Sequence, residues 1–189
     1  MELLRTRASN GTLEAPAPDD ATLEEILEAA LRAPDHAALR PWKILTIRGE
    51  ARDALGEVFA EAAKAREPGL DDEKLARTRR KPLRAPLLLV VAAVPVEHPK
   101  APEIEQVLSA GAVAHGILLG LQAKGFAGMW RTGAPAYDDA VKAALGLRPE
   151  DHIVGFVYVG TASVPAPDMP RPGVDAYVVP WHGADRHGR

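Results

Sequence analysis

The sequence predicts an α+β fold in which helices surround a central, mostly antiparallel or mixed sheet. Apolar residues recur with helical spacing in several segments, and short Val-rich and Ile-rich runs bounded by proline or glycine lie between these segments. Neither an internal repeat nor a linker long enough to separate two domains is visible. We therefore expect one domain over residues 1–189, with 161–189 as an extended C-terminal tail that reaches over a neighbouring surface.

The first half of the chain contains two predicted helices and two predicted strands. Thr22-Leu-Glu-Glu25 has the form of a capping box and predicts a helix that begins there and ends at Ala33, before a proline. The apolar run 44–47 predicts a strand, and 50–66 have the spacing of a second helix. The continuous Val-rich run 87–94 predicts a strand that is buried on both faces.

Residues 103–124 have the pattern of one long helix that is apolar nearly all round, so we expect it to be buried on every side. It contains Gly111, Gly116 and Gly120, although glycine costs ~1 kcal/mol relative to alanine inside a helix. We infer a close approach by another helix or a ligand, and expect this helix to form the centre of the fold and of a dimer interface. The later patterns predict a strand over 126–131, a helix over 137–145 and a strand over 153–159.

The composition excludes several classes of function. The chain has no cysteine, which rules out disulfides, thiolate nucleophiles, cysteine-ligated zinc and iron–sulfur clusters. Redox chemistry would therefore need a bound cofactor. A net charge of −3 is too weak to attract a polyanion, and the basic cluster 78–84 has no interleaved aromatic residue. We expect no nucleic-acid partner and interpret this cluster as the solvated edge of a loop.

Membrane and metal sites are not expected either. The apolar stretch 85–96 is too short to span a bilayer, and the N-terminus lacks the apolar core of a signal peptide, so we expect a soluble cytoplasmic protein. The six histidines form no HExxH or comparable pair. Neither GxSxG nor GxxxxGK(S/T) occurs, and Gly125-Phe-Ala-Gly128 leads from a helix into a strand, which is the reverse of the order in a Rossmann nucleotide site.

Three polar segments are unusual, and each has two interpretations. Arg5-Thr-Arg-Ala-Ser9 places guanidiniums beside hydroxyl groups, which suits a phosphate monoester, or it is an exposed terminal helix. The loop 32–42 combines an imidazole, arginines and a tryptophan, and is either functional or a plain connection with His36 as a loop residue. The segment 128–133 carries Trp130 and Arg131 side by side before a glycine turn. It is either functional, or Trp130 is a core residue and Arg131 a surface charge at the end of a strand.

Taken together and in this order, the segments resemble the nitroreductase family, most closely its compact branch of NAD(P)H nitroreductases, over 2–160. The most specific matches are Arg32-Ala-Pro-Asp-His36 with Pro41-Trp42, Glu105-Gln106 with Ser109-Ala-Gly111, Gly125-Phe-Ala-Gly-Met-Trp-Arg-Thr-Gly133, and Ile153-Val-Gly-Phe156 with Gly160. The resemblance implies a homodimer with two FMN molecules at the subunit interface, each contacted by both chains.

The resemblance also implies which residues hold the phosphate of FMN. Arg7, Ala8 and Ser9 match the family's phosphate-binding positions. Ala8 stands where the family usually has a second basic residue, so Arg131 and Arg171 are candidates to supply that charge. The family often has another Ser or Arg in the stretch that is Asn10-Gly11-Thr12 here.

Other matched positions concern the flavin ring and the nicotinamide cofactor. Arg32 and His36 match residues that approach the flavin from the partner subunit, and Arg32, then His36, are candidates to stabilise the negative charge of reduced FMN. Trp130, Arg131 and Thr132 match the segment that runs along the isoalloxazine. A stretch associated with the nicotinamide cofactor is matched by Gly120, Leu121, Gln122, Ala123, Lys124 and Gly125.

The implied activity is hydride transfer from NADH or NADPH through FMN to a nitroaromatic or quinone acceptor, in a ping-pong cycle. No catalytic side chain is expected, because the flavin itself carries out the hydride chemistry. Three alternatives are open. The same flavin fold could support dehydrogenation, dehalogenation or flavin fragmentation; the protein could bind FMN with little turnover; or it could be a structural adaptor without cofactor.

Overall fold

Five strands form an antiparallel sheet in the computed structural model, which describes residues 1–166, 169–171, 173–181 and 183. The strands are β1 (Leu13–Glu14), β2 (Trp42–Arg48), β3 (Leu87–Ala93), β4 (Ala127–Arg131) and β5 (His152–Ala162). β3 pairs along one side of β5 and β4 along its other side, while the short β1 pairs with the last two residues of β5. β2 pairs with the outer side of β3. The predicted α+β fold is confirmed, and each pair among these strands is antiparallel.

The described part of the chain contains six α-helices, which lie on both faces of this sheet. They are α1 (Glu2–Thr6), α2 (Asp20–Ala30), α3 (Glu50–Arg66), α4 (Asp72–Arg79), α5 (Glu103–Ala123) and α6 (Asp139–Ala144). The bounds predicted for α3 are confirmed. The helix predicted over 137–145 is shorter, because Asp138 caps α6 by accepting a hydrogen bond from the Ala140 amide at 3.0 Å.

Two apolar layers enclose the central strands. Leu55 and Phe59 of α3 pack on one face of the sheet, and Val113 and Ile117 of α5 pack on the other. All seven residues of β3 are buried, as predicted for a strand covered on both faces. Along β5, Phe156 and Tyr158 face the α3 layer, whereas Val157 and Val159 face the α5 layer. This alternation decides which face each residue of the paired strand β4 contacts.

The capping box predicted at Thr22 is wrong, because α2 begins earlier. Asp19 is the N-cap, and its Oδ1 accepts a hydrogen bond from the Thr22 amide at 2.8 Å, so Thr22 lies within the first turn. A carboxylate also interacts favourably with the positive end of the helix dipole, which favours the aspartate at this position. The helix ends at Ala30, before the predicted end at Ala33.

The basic cluster 78–84 is not a loop edge, contrary to the prediction. Its first residues end α4, and Lys81–Arg84 form a turn of 3-10 helix. Asp71 caps α4 by accepting a hydrogen bond from the Lys74 amide at 2.7 Å. No residue of α4 is buried, so the sequence lacks the apolar stripe by which a helix is usually recognised.

Helix α5 fills the space between α2 and the sheet, although it is not buried on every side as predicted. A Cβ at Gly116 would lie 3.1 Å from the Ala30 Cα, and one at Gly120 would lie 2.9 Å from Ile26. The close approach inferred from these glycines is therefore made by α2. Nothing lies within 4 Å of a Cβ at Gly111, and the opposite face of α5 is exposed in the single chain.

By length and composition α5 could cross a membrane, which the sequence analysis did not note. In the fold, however, this helix contributes Val113, Ile117 and Leu121 to the layer beneath the sheet, and all three are completely buried.

The predicted tail over 161–189 begins within a strand, because 161–162 are the last two residues of β5. Positions 167, 168, 172, 182 and 184–189 of this tail lie outside the described residues.

Candidate functional site

An open cleft of about 540 Å³ brings together residues from the N-terminal segment, α5 and β4. It is lined by Arg7, Ser9, His115, Leu118, Trp130 and Thr132. Four of these residues are among the predicted cofactor-binding positions, although more than 120 positions separate Arg7 from Trp130 along the chain. The volume lies within the range of ordinary ligand pockets. We call it the Trp130 cleft.

The indole of Trp130 is held in place by an irregularity of the sheet. Val91 pairs with Gly155 and Ala92 with Ile153, so that Val154 has no partner in β3. The Val154 carbonyl accepts a hydrogen bond from the Trp130 Nε1 at 3.0 Å. A Cβ at Gly155 would lie 2.0 Å from the same nitrogen, so only glycine fits there. Bulges of this kind commonly redirect a side chain near a functional site.

The residues predicted to bind a phosphate, Arg7 and Ser9, line the part of the Trp130 cleft that the N-terminal segment forms. The Nη1 of Arg7 donates to the Ser9 hydroxyl at 3.4 Å, and the Nη2 of Arg171 donates to the Arg7 carbonyl at 2.8 Å. The Arg7 guanidinium thus lies beside a hydroxyl, and a second guanidinium lies at the Arg7 backbone, which suits an oxyanion. Ala8 lines a separate hollow of about 180 Å³ beside this cleft.

Asn10 anchors this segment to the sheet. Its amide donates to the Gly128 carbonyl at 3.2 Å, and its side-chain Nδ2 donates to the Val164 carbonyl at 2.7 Å. Its Oδ1 accepts from the Thr12 amide at 3.0 Å, and the residue is buried. The family often has Ser or Arg in the stretch 10–12. Asn10 instead has a structural role here, which a charged arginine would not fulfil.

Arg32 and His36 do not line the Trp130 cleft of their own chain. Arg32 lines a second cleft, of about 380 Å³, together with Asp35, Arg40 and Trp42. The Nδ1 of His36 lies 2.6 Å from Glu105 Oε2 on α5, and both side chains are about half exposed. The clefts found among the described residues therefore divide the predicted flavin contacts into two groups.

The loop that carries His36 has a strained backbone. Ala37, Ala38 and Arg40 have φ values of 65°, 53° and 50°, in the left-handed region that non-glycine residues rarely adopt. The Oδ2 of Asp35 accepts a hydrogen bond from the Arg40 amide at 2.6 Å and helps to hold this conformation. Each such residue costs ~1–3 kcal/mol, and strain of this size persists mainly at functional positions. The functional interpretation of 32–42 is thereby favoured over that of a plain connection.

The stretch 120–125 is only partly accessible. Gly120 has no side chain and packs on Ile26, and the Leu121 side chain is completely buried. Gln122 donates to the Thr6 hydroxyl at 2.7 Å, and Lys124 forms an ion pair with Glu25. Ala123 and Gly125 are exposed. A ligand at this stretch could reach its last four residues and the partly exposed backbone of Gly120.

The side chain of Arg131 points away from the Trp130 cleft. Because β4 alternates, Trp130 packs on the α5 layer, whereas the Arg131 guanidinium lies 5.8 Å from the centre of the Tyr158 ring in the α3 layer. Of the two candidates for a second phosphate-binding charge, the geometry therefore favours Arg171. At the Trp130 cleft, Arg131 could therefore contribute only backbone groups.

The sequence analysis missed His115 and Leu118 as cleft residues. Both lie on α5, one helical turn apart, and His115 is an exposed imidazole within the mostly apolar part of that helix, 107–121. That contrast is the signal that could have identified it, because an exposed polar residue within an apolar stretch needs an explanation. Among the described residues, no group of three or more His, Asp or Glu is arranged to hold a metal ion.

Comparison with known proteins assigns the family. The sequence profile described as "Nitroreductase family" matches residues 4–161. The chain belongs to the nitroreductase family. The Escherichia coli (strain K12) protein "Putative NAD(P)H nitroreductase YdjA" is 40% identical to it over 166 residues, which is 88% of this chain and 90% of that protein. The resemblance stated from the sequence is thereby confirmed.

Solved structures agree on the nitroreductase fold. The nitroreductase-like family protein from Bacillus cereus matches with a TM-score of 0.82 and 21% identity, over 96% of this chain and 95% of its own. The FMN-dependent nitroreductase NfnB from Mycobacterium smegmatis, solved in complex with NADPH, matches with a TM-score of 0.75 and 20% identity, over 94% and 96% of the two chains. At these identities the likeness concerns the fold alone.

The contact between Gly155 and Trp130 leads to a testable prediction. The substitution Gly155→Ala should lower the free energy of unfolding by about 1–3 kcal/mol, because the added methyl group displaces the indole. In a Trp130→Leu background the same substitution should cost clearly less, since the atom it collides with is gone. Urea unfolding of the four proteins measures this coupling. Equal costs in the two backgrounds would mean that the indole is not what requires glycine at this position.

Proposed function

We propose that this protein is an FMN-dependent oxidoreductase that takes a hydride from NADH or NADPH and reduces nitroaromatic or quinone acceptors. The observation that carries the proposal is the Trp130 cleft, in which Arg7 and Ser9 lie at one end of a wall formed by Trp130 and Leu118. Membership of the nitroreductase family supports it, as does the name of the 40% identical relative, an NAD(P)H nitroreductase.

The residues of the cleft fit a flavin mononucleotide. Cationic and hydroxyl groups at one end suit its phosphate, and an apolar wall suits a flat ring. When bound, FMN supplies the hydride chemistry, and the protein contributes binding, orientation and electrostatics. We propose that Arg7, Ser9 and Arg171 hold the phosphate, and that the backbone of Trp130, Arg131 and Thr132 borders the ring.

We also propose that the active form is a homodimer in which each flavin is contacted by both chains. One face of α5 is exposed, with Ile104 at 62% and Leu108 at 65% of their full accessibility. One and two turns further along the helix this face continues through Gly111 to His115, which lines the Trp130 cleft. Burial of this apolar face against a second chain would account for the space at Gly111 and for the otherwise unfavourable exposure.

In such a dimer the second cleft completes the site. Arg32 and His36 would approach the flavin from the partner chain, where a guanidinium stabilises the negative charge of the reduced ring. The contact of the His36 Nδ1 with the Glu105 carboxylate ties its loop to the same helix that carries the exposed face. The strained loop conformation would present the side chains of Arg32 and His36 outward, toward the second chain of the dimer.

The nicotinamide donor and the acceptor are proposed to bind in turn at one exposed face of the flavin, which is a ping-pong cycle. The Trp130 cleft is open, so flat acceptors of different outline fit equally well. We assign the accessible residues Gln122, Ala123, Lys124 and Gly125 to donor binding. The reaction is proposed to take place in the cytoplasm, where NAD(P)H is available.

The assignment of the phosphate can be tested at Arg171. Replacing it with glutamine should raise the Kd for FMN about tenfold, the loss expected for one charge-assisted hydrogen bond. Arg5→Gln removes the same charge from an exposed position two residues before Arg7 and should change the Kd less than about twofold. Quenching of flavin fluorescence during titration of apoprotein measures both values. Equal effects of the two substitutions would remove Arg171 from the site.

The order of binding is tested by steady-state kinetics. Initial rates measured with NADPH and a nitroaromatic, each varied at several fixed concentrations of the other, should give parallel lines in double-reciprocal plots. The reason is that the two substrates use one face and never bind together. The same series with NADH controls for the choice of donor. Intersecting lines would show a ternary complex and contradict the shared binding face.

A further inference from the structure

A second charged cleft lies on the α3 side of the sheet, opposite the layer that holds the Trp130 indole. Its volume is about 350 Å³, and Lys81, Arg84, Arg131 and Tyr158 line it together with the rings of Phe59 and Phe156. It combines a cationic part with an apolar wall. The proposed flavin function leaves the side chains of this cleft unused, so its charges require a separate explanation.

The three cations converge without a compensating carboxylate among the described residues. Burial lowers the pKa of Lys81, and the positive charges of Arg84, Arg66 and Arg77 lower it further. Two nearby arginines that do not line this cleft do have carboxylate partners: Arg79 contacts Glu57 at 2.7 Å and Arg66 contacts Asp138 at 3.2 Å. Positive charges held together in this way repel one another and favour the binding of an anion.

Tyr158 is the second observation that points to a ligand. Its side chain is almost fully buried, with 4% of its surface accessible, and its hydroxyl has no hydrogen-bond partner among the described residues. No described polar side-chain atom is both buried and unpartnered, so the hydroxyl oxygen must be open to the cleft. The hydroxyl is therefore available to donate a hydrogen bond to a group that enters the cleft.

The hydroxyl of Tyr158 is a donor at neutral pH. Burial raises its pKa above the ordinary value, against the opposing effect of the nearby Arg84 and Arg131. The phenol therefore stays protonated and can donate a hydrogen bond to an oxygen of an anion. Two planar guanidiniums, an ammonium and a hydroxyl together match the several acceptor oxygens of a phosphate group better than the two of a carboxylate.

We propose that this cleft is a binding site for a small phosphate-bearing anion, either inorganic phosphate or a phosphomonoester. Arg84 and Arg131 bind its oxygens, Lys81 supplies a third positive charge, and the Tyr158 hydroxyl donates to it. Phe59 and Phe156 leave room for a small organic part beside the phosphate. Thr132 borders both this cleft and the Trp130 cleft, so the bound anion lies next to the end of β4 that the flavin site uses.

Calorimetric titration of the FMN-saturated protein with inorganic phosphate tests the proposal, because FMN then occupies its own phosphate site. The Kd for phosphate should rise about tenfold in Arg84→Gln and a few-fold in Tyr158→Phe, which removes only the hydroxyl. Arg80→Gln is the matched control: it is exposed, lies four residues before Arg84 in the chain and does not line the cleft. It should change the Kd less than about twofold.

A parallel titration with 2′,5′-ADP distinguishes a phosphomonoester from free phosphate as the ligand. Tighter binding of 2′,5′-ADP than of phosphate, lost in Arg84→Gln, would identify the phosphomonoester, whereas equal or weaker binding would identify the free anion. The proposal is overturned if phosphate gives no heat of binding at millimolar concentration, or if Arg80→Gln weakens it as much as Arg84→Gln. These outcomes are read from binding alone and do not depend on whether the enzyme reduces a nitroaromatic.

Discussion

The positions of the Trp130 and Arg131 side chains depend on the burial of β5 between two apolar layers. Three of the other four strands pair with β5, and its residues alternate between the α3 layer and the α5 layer. Through the pairing of Trp130 with Val157 and of Arg131 with Phe156, this alternation sends two neighbouring side chains of β4 to opposite faces. One becomes the wall of the proposed flavin cleft, and the other contributes to a cationic cleft on the far side.

Helix α5 connects the core to the proposed dimer interface. Its inner face packs so closely on α2 that glycine is favoured at Gly116 and Gly120, while its outer face presents Ile104 and Leu108 to solvent. The same helix carries His115 into one cleft and holds His36 through Glu105 near the other. A single element thereby fixes the relative positions of both groups of residues that we assign to one composite site.

Some of these features could be predicted from the sequence, because they depend on local patterns. The bounds of α3 and the buried strand β3 follow from the spacing and length of apolar runs, and the resemblance to the family singled out Arg7, Ser9 and Trp130. The polar helix α4 gave no apolar periodicity from which to predict it. The bulge at Val154 depends on pairing between distant strands, so no local pattern could indicate that Gly155 makes room for the indole.

The face to which Arg131 points could not be predicted for the same reason. Sequence reasoning placed it among three residues that share one role, whereas the register of β4 against β5 separates its side chain from that of Trp130. The division of the predicted flavin contacts between two clefts likewise appears only in the folded chain. It is the strongest structural reason for a composite site, because the residues that the resemblance assigns to one flavin lie on separate surfaces of one chain.

Complementation between two damaged chains tests this composite site most directly. Arg7→Glu disables the contribution of the Trp130 cleft, and Arg32→Glu disables that of the second cleft, so either variant alone should bind FMN poorly. A mixed dimer, isolated through two different affinity tags, contains one intact site and one with both substitutions. We predict that it binds about one FMN per dimer with the affinity of the unmodified protein, as twofold symmetry requires. A mixed dimer that binds FMN as poorly as the two parent variants would contradict a site shared between chains.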